Sequence, residues 1–362
     1  MKVDILTFQE AIEQSGSAKR NLLLGNGFSI ACNPIFAYES LFSQAEQTIQ
    51  EQMPELNKLF SELGIRDFES IIERLNHSLQ VLSIYLPDDE MAYQKITRHA
   101  DELKALLVNT IAKSHPKKLN ETKDLKYQAC REFLSYFIEY DNPGEIYTFN
   151  YDLLLYWTFM NSNCDNGKNF RLKFDDGFRK SAHKHNNIVW DIQNNFDSAN
   201  KLFVNQNIFH FHGALHFFDT DSGLEKINFR SERKPLIEQI QKALNAKKKP
   251  LFVAEGKSDK KLEKINQCIY LVYCFFRFKV LMKDKTSSLF VFGHSLAGND
   301  EHIINEIGEG AITDVFISLH GDLNLENTQN LINKALSLKK MREPSNPLEV
   351  HFYDASSAKI WG

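Results

Sequence analysis

The segment NLLLGNGFSIACNP, residues 21–34, decides the fold expected of this chain. A short apolar run ends there at two closely spaced glycines, Gly25 and Gly27, and this pattern is typical of a buried strand that enters a tight turn. Glycine is scarce elsewhere, with 16 among 362 residues, below the usual share of about 7 %. Two glycines in one turn therefore predict a place where the backbone approaches a ligand closely.

The same order of apolar strand, glycine turn and helix returns in SSLFVFGHSLAGND, residues 287–300. Further strands are predicted at residues 145–150, 207–213, 250–256, 314–321 and 350–355. Residues 214–219 are predicted to form a hairpin with the strand before them. Strands that alternate with helices predict an α/β fold, a Rossmann-like parallel sheet flanked by helices, which binds ligands at the carboxyl ends of its strands.

The stretch between the first two predicted strands has helical spacing and hardly any strand signal. Apolar residues such as Ile71 and Leu75 recur there at intervals of three and four, with charged residues between them. The pattern predicts one α/β domain formed by residues 1–40 and 143–362 and interrupted by a helical insertion, residues 41–142. The insertion is a candidate lid or assembly subdomain. The alternative is that it only adds packing to the core.

Composition excludes several classes of function. The 43 Lys and Arg residues against 47 Asp and Glu give a net charge of −4, too close to neutral for an extended nucleic-acid or anionic-membrane surface. The five cysteines form no C-x-x-C pair, so neither a disulfide framework nor a thiolate zinc site is expected. No signal peptide is recognisable, and the longest uncharged apolar run, residues 268–276, is too short to cross a bilayer. We expect a cytoplasmic protein without a metal.

Two clusters near the first strands carry candidate ligand-binding residues. The first is Gly25-x-Gly27-x-Ser29, which fits a turn that holds a nucleotide pyrophosphate, although it lacks the third glycine of the dehydrogenase fingerprint. A purely structural turn is the alternative. The second cluster includes Asn150 and Asp152 at the end of a predicted strand. Asp152 also suits the N-cap of the helix that follows, so this cluster has a structural interpretation as well.

Two further clusters follow later strands. In HFHG, residues 210–213, one histidine at the strand end suits a general base, and His210 with His212 suits a metal pair only if further ligands are present. Ordinary strand histidines are the alternative. In GHSL, residues 293–296, a glycine and a serine at a strand end suit ribose and phosphate oxygens, or a simple turn with a capped helix.

The order of these clusters resembles the sirtuin family, and most closely the sirtuin-like NAD-consuming proteins of bacterial antiphage defence. The resemblance runs from about Asn21 to the closing FYDASSAKIWG and rests on the ordered set of motifs. It implies that Gly25, Gly27 and Ser29 bind the NAD pyrophosphate, with Asn26 in place of the usual alanine. The two C-x-x-C pairs of the zinc module in lysine deacylases are missing here, and so is their G-I-P-D-F-R loop. Deacylation is therefore not expected.

The resemblance also implies roles for the later motifs. In T-F-N-Y-D, which begins at Thr148, it implies that Asn150 orients the nicotinamide ribose and the attacking water and that Asp152 binds the carboxamide. It implies that His212 is the catalytic base. The turn that holds the adenosine side corresponds to residues 293–295, with Gly293 and Ser295 matching and His294 in place of threonine.

Together these observations predict an NAD⁺ glycohydrolase that releases nicotinamide and ADP-ribose, with NAD as its substrate. The resemblance implies activation on phage infection, and a homo-oligomer or a partner ATPase or sensor. Three alternatives remain open at this level. They are an NAD or ADP-ribose sensor without turnover, an ADP-ribosyltransferase, and a metal-dependent hydrolase that uses His210 and His212.

Overall fold

The computed structural model describes residues 3–116, 124–139, 143–160, 172–181, 188–190, 196–197, 202–203, 206–220, 223–228, 235–246, 248–254 and 257–362. The strands are β1 (Ile5–Leu6), β2 (Lys19–Leu24), β3 (Ile146–Thr148), β4 (Phe178–Ser181), β5 (Ile188–Trp190), β6 (Phe196–Asp197), β7 (Leu202–Phe203), β8 (Ile208–His210), β9 (Gly213–Thr220), β10 (Gly223–Lys226), β11 (Pro250–Phe252), β12 (Ser287–Phe292), β13 (Asp314–Leu319) and β14 (Glu349–Asp354). The α-helices are α1 (Phe8–Gln14), α2 (Gly27–Cys32), α3 (Tyr38–Gln52), α4 (Pro54–Leu63), α5 (Phe68–Tyr85), α6 (Glu90–Ser114), α7 (Asp124–Ile138), α8 (Leu154–Met160), α9 (Leu236–Asn245), α10 (Ser258–Ile265), α11 (Ile269–Met282), α12 (Glu301–Glu309) and α13 (Glu326–Lys340).

A seven-stranded parallel sheet forms the centre of the molecule, in the order β1-β14-β13-β12-β2-β3-β8. If the short edge strand β1 is set aside, the other six strands, numbered along the chain, follow the order 3-2-1-4-5-6 of a Rossmann sheet. The predicted α/β, Rossmann-like fold is therefore confirmed. In such a sheet the connections leave in opposite directions from two neighbouring strands, here β2 and β12, and a crevice opens beyond their carboxyl ends.

A second sheet contains two segments that the sequence analysis placed elsewhere. Its five strands are antiparallel, in the order β11-β9-β10-β5-β4. The prediction of a hairpin between residues 207–213 and 214–219 was wrong, because the chain turns at Gly213 and β9 pairs with β10 and β11 instead. Strand β11 was likewise expected in the parallel series. Apolar patterning identifies a buried strand but not the sheet that it joins.

In the described residues between β2 and β3, helices α3 to α7 follow α2, in agreement with the helical spacing of this stretch. Their buried side chains, including Phe68 and Leu103, belong to one continuous hydrophobic cluster with Leu22 and Phe290 of the central sheet. Burial of this shared surface attaches the helices firmly to the sheet. The division of the chain into an α/β domain and an insertion stays a prediction.

Within the described residues, no single helix is long and apolar enough to cross a membrane. Only α10 and α11 meet that criterion together, and they are bent by 115° at their junction. The four described cysteines, of which Cys32, Cys130 and Cys274 are buried, are free thiols.

Candidate functional site

Three glycines meet at the point where β2 and β12 end. The Gly25 N–H donates to the Phe292 carbonyl (2.9 Å), and the Gly27 N–H donates to the Gly293 carbonyl (2.8 Å). A Cβ atom on Gly27 would lie 2.5 Å from the Gly293 Cα, and one on Gly293 would lie 2.6 Å from the Gly27 Cα. Gly293 also has a φ of +68°, which L-residues rarely adopt. The two glycine turns that the sequence singled out therefore form one tightly packed structure.

We expect Gly293→Ala to be strongly destabilising. The added methyl would collide with the backbone of Gly27 and Phe28, and alanine would also be strained at this φ. Thermal unfolding should show a loss of several degrees at least, corresponding to about 2 kcal/mol or more. Gly298→Ala is the matched control in the same loop, because a Cβ atom there has no neighbour within 4 Å. A similar melting temperature for both variants would contradict this packing.

A cleft of about 1250 Å³ opens beyond the carboxyl ends of β2, β3 and β12. Most of the predicted site residues line it, namely Asn26, Gly27, Asn150, Asp152, His212, Gly293 and Ser295. Three others do not line it. Gly25 packs against Gly293 and His294, and Ser29 and Thr148 are buried behind the cleft. The structure thus brings together predicted residues that are up to 269 positions apart in the sequence.

A short chain of hydrogen bonds connects the first two motifs. The Asn150 Nδ2 donates to the Ser29 Oγ (3.0 Å), and the Ser29 hydroxyl donates to the Asp152 Oδ2. The Asn150 N–H donates to the Thr148 Oγ1 (3.0 Å), which fixes the backbone after β3. Ser29, which the resemblance assigns to the pyrophosphate, forms hydrogen bonds in the structure with the two polar side chains that face the cleft.

Asp152 also performs the structural role that the sequence left open. Its Oδ1 accepts a hydrogen bond from the Leu154 N–H (2.8 Å) at the start of α8, as an N-terminal cap does. Burial raises the pKa of the Asp152 carboxyl, and the hydrogen bond from Ser29 opposes that rise. The side chain is therefore both a cap and part of the cleft wall.

His212 also lines the cleft and is almost fully buried. Its ring packs against Phe149 (5.0 Å between centroids) and Tyr151 (6.0 Å). Burial, and then the neighbouring Lys261, lower the pKa of His212 well below its usual value. The imidazole is consequently neutral near pH 7 and able to accept a proton.

His210 has different surroundings from His212. Strand β8 ends at His210, so the alternation that would place both rings on one face does not continue. His210 packs against Phe217 (5.0 Å) and His216 (6.2 Å), away from the residues that surround His212. In the described part of the chain no group of three His, Cys, Asp or Glu side chains is arranged to hold a metal ion.

A buried cluster of charges lies next to His212. The Lys261 Nζ is 3.0 Å from the Asp300 Oδ1 and 3.2 Å from the Glu69 Oε2. Burial opposes the ionisation of Lys261, but the two carboxylates outweigh it and raise the pKa of the ammonium group. Burial also opposes the ionisation of Asp300, yet Lys261 and the rings of His294 and His212 hold the pKa of this carboxyl well below its ordinary value. A carboxylate charge is therefore held at the inner wall of the cleft.

Sequence reasoning did not identify two members of this cluster. Glu69 comes from α5 in the predicted insertion, and Lys261 comes from α10, both far in sequence from the glycine turns. Asp300 follows the GHSL motif in the sequence, but the sequence did not predict which residues contact it. The only signal available for Lys261 was one lysine on a short helix, which is ordinarily a solvated residue; here it is 1 % exposed.

Residues 22–361 match the model of a family described as a domain of unknown function, DUF4917. The chain belongs to this family. No curated protein matches the chain. The matched range contains both glycine turns and the residues Asn150, Asp152 and His212, so the candidate site lies inside the region that defines the family.

Proposed function

We propose that this member of the DUF4917 family is an NAD⁺ glycohydrolase. The observation that carries the proposal is the meeting of Asn150, Asp152 and His212 with the Gly25–Gly27 and Gly293 turns in one cleft. The cleft lies at the switch point of a Rossmann sheet, the place where such sheets bind dinucleotides. Its volume of about 1250 Å³ exceeds the roughly 300–1,000 Å³ of ordinary small-molecule pockets, which leaves room for an extended dinucleotide.

The glycine turns support the proposal because they leave space beside the backbone. Gly27 and Gly293 line the cleft and have no side chain, so a pyrophosphate is able to approach their backbone closely. Ser295 and Ser318 line the same end and offer hydroxyl groups to a ribose. The adenosine half of NAD would lie against this wall.

The chemistry requires three contributions from the protein. Cleavage of the bond between nicotinamide N1 and ribose C1′ develops positive charge on the ribose, as in glycoside hydrolysis, while nicotinamide leaves as a neutral molecule. A water oxygen bonds to C1′, and one proton of that water must be removed. Asn150, whose Nδ2 is held by Ser29, has its Oδ1 available to orient water or a ribose hydroxyl. The Asp152 side chain is suited to bind the nicotinamide carboxamide, and the neutral His212 ring is suited to take the proton from the attacking water.

The direct test is incubation of the purified protein with NAD⁺. We expect equimolar nicotinamide and ADP-ribose, measured by chromatography, with and without lysate from phage-infected cells as an activator. Label transferred from NAD to protein or nucleic acid would indicate ADP-ribosyl transfer instead. Binding of NAD without any product in either state would favour a sensor, and loss of activity with a chelator would favour a metal-dependent hydrolase.

An NAD hydrolase that is always active would deplete its own host, so its activity must be restrained until a trigger arrives. We propose phage infection as the trigger and place the restraint in α3 to α7. In support, α5 supplies Glu69 and Glu73 to the cleft wall, and its N-cap residue Asp67 lies there as well. A movement of these helices, driven by self-association or by a partner protein, would open or close the cleft.

A further inference from the structure

We infer that Asp300, held by Lys261, is the positioning residue that sets the proton location on His212. The inference goes beyond the three proposed site residues and rests on the proposed hydrolysis for its kinetic part only. Asp300 follows β12 in a turn, Gly298–Asp300, that opens α12, and its carboxylate is 6 % exposed. It lies between two imidazole rings, with Oδ1 3.5 Å from the His212 Nε2 and Oδ2 3.2 Å from the His294 Nε2.

A hydrogen bond from the backbone fixes which ring nitrogen of His294 carries the proton. The Leu296 N–H donates to the His294 Nδ1 (3.0 Å), so a neutral His294 carries its proton on Nε2 and donates it to Asp300. Leu296 holds this arrangement at a φ of +50°, which is unusual for a leucine, and its side chain is buried. The loop is therefore built so that Asp300 Oδ2 is satisfied by His294.

The remaining oxygen then determines the state of His212. Asp300 Oδ1 accepts from Lys261 and faces the His212 Nε2, a buried atom with no hydrogen-bond partner. An ionised carboxylate accepts only, so an imidazole nitrogen beside it is favoured in its protonated form. A neutral imidazole carries one proton. When that proton is on Nε2, the lone pair that is able to accept another proton is on Nδ1. His212 is thereby prepared to remove a proton through Nδ1.

Lys261 and Glu69 maintain this arrangement. A buried carboxylate without a cation would take up a proton and could then donate to His212, which would favour the opposite tautomer. The Lys261 ammonium prevents that at Asp300 and also binds Glu69 of α5. The hydroxyl groups of Tyr38 and Tyr151 lie 3.4 Å and 3.5 Å from the Glu69 Oε1. The helical segment thus contributes to the electrostatic surroundings of His212.

The test compares Asp300→Asn with Asp314→Asn. Asp314 forms a matched pair with His351 (2.9 Å) at the opposite end of the sheet, away from the cleft. We expect Asp300→Asn to lower kcat for NAD hydrolysis about 100-fold with KM changed less than about threefold, because orientation of the base is lost while binding groups remain. Asp314→Asn should retain wild-type kcat. A wild-type kcat in folded Asp300→Asn would overturn the inference.

A second measurement does not depend on activity. In protein labelled with ¹⁵N-histidine, the ring nitrogen shifts identify the tautomer, and the His212 signals are those missing from His212→Gln. We expect Nε2–H in the wild type at pH 7 and a mixture of tautomers in Asp300→Asn. A proton on Nδ1 in the wild type would overturn the inference, even if Asp300→Asn fails to fold. If the protein releases no nicotinamide in any state, the proposed hydrolysis fails while the tautomer still decides this inference.

Discussion

Asn150→Ala and His212→Ala are each expected to lower NAD hydrolysis by about 100- to 10,000-fold, the usual range for loss of an orienting or proton-transferring group. Asn150 is fixed through Ser29, and alanine removes the only side-chain oxygen that it offers to the ribose or water. His212 lines the same cleft, with its neutral ring available as a base. The measurement is the initial rate of nicotinamide release under the activating condition. Full activity in both variants would refute the site assignment.

His210→Ala is the matched control for His212→Ala. The two residues are separated by one position, and both are buried, but His210 packs against Phe217 and His216. Under the proposed mechanism this variant should retain hydrolysis as long as it remains folded, which circular dichroism checks. Under the metal-dependent alternative, which needs both rings, it should be as inactive as His212→Ala. The pair of variants therefore separates the two chemistries without any assumption about which metal is involved.

The α/β fold could be predicted because its strands are short apolar runs that stop at glycines. Leu22 and Phe290 lie in fully buried strands, and in a parallel sheet covered on both faces such runs are nearly continuous in hydrophobicity. The second sheet could not be separated from the first by the same signal. Strands β9 and β11 are also apolar, and their antiparallel pairing depends on the reversal at Gly213, whose Cβ position lies 2.0 Å from the Leu251 carbonyl.

The candidate site was predictable only in part, for a related reason. Residues that follow strand ends are brought together by the sheet itself, which is why Asn150, Asp152 and His212 share a cleft with the glycine turns. Ser29 was assigned to ligand contact, and its hydrogen bonds to Asp152 and Asn150 join residues 123 and 121 positions apart, so they arise only in the folded chain. Lys261 and Glu69 are 192 positions apart in the sequence and meet only in the folded chain. No local sequence pattern predicts such a pair.

Buried histidines make acid sensitivity the second large effect that we expect. Burial lowers the pKa of His115 to about 3 and that of His210 to about 4. The pKa of His212 and that of His216 also lie well below the usual value, with burial the main cause in each case. His216 is fully buried, and neither of its ring nitrogens has a hydrogen-bond partner. In the folded protein these four rings therefore stay neutral well below pH 6.5.

The unfolded chain, in contrast, takes up protons on histidine as the pH falls through about 6.5. The free energy of unfolding that these histidines contribute should therefore be fully present above about pH 6.5 and decrease towards pH 4. The decrease is about 1 kcal/mol per pH unit for each proton bound on unfolding. Glu69 and Asp152 act in the opposite direction, because burial raises the pKa of each carboxyl and protonation then favours the folded state. Burial also lowers the pKa of His302 to about 4. Five histidines against two carboxyls leave a net loss of about 4 kcal/mol per pH unit.

Urea unfolding at several pH values between 4 and 7.5 measures this slope directly. His216→Leu should make the slope shallower by about one proton, and it should cost little at pH 7.5 because the side chain that it removes makes no hydrogen bond through its ring nitrogens. A slope near zero in the wild type would show that these rings become charged in the folded state. The lowered pKa that keeps His212 neutral would then be absent, so the acid titration tests this part of the catalytic assignment independently of any activity.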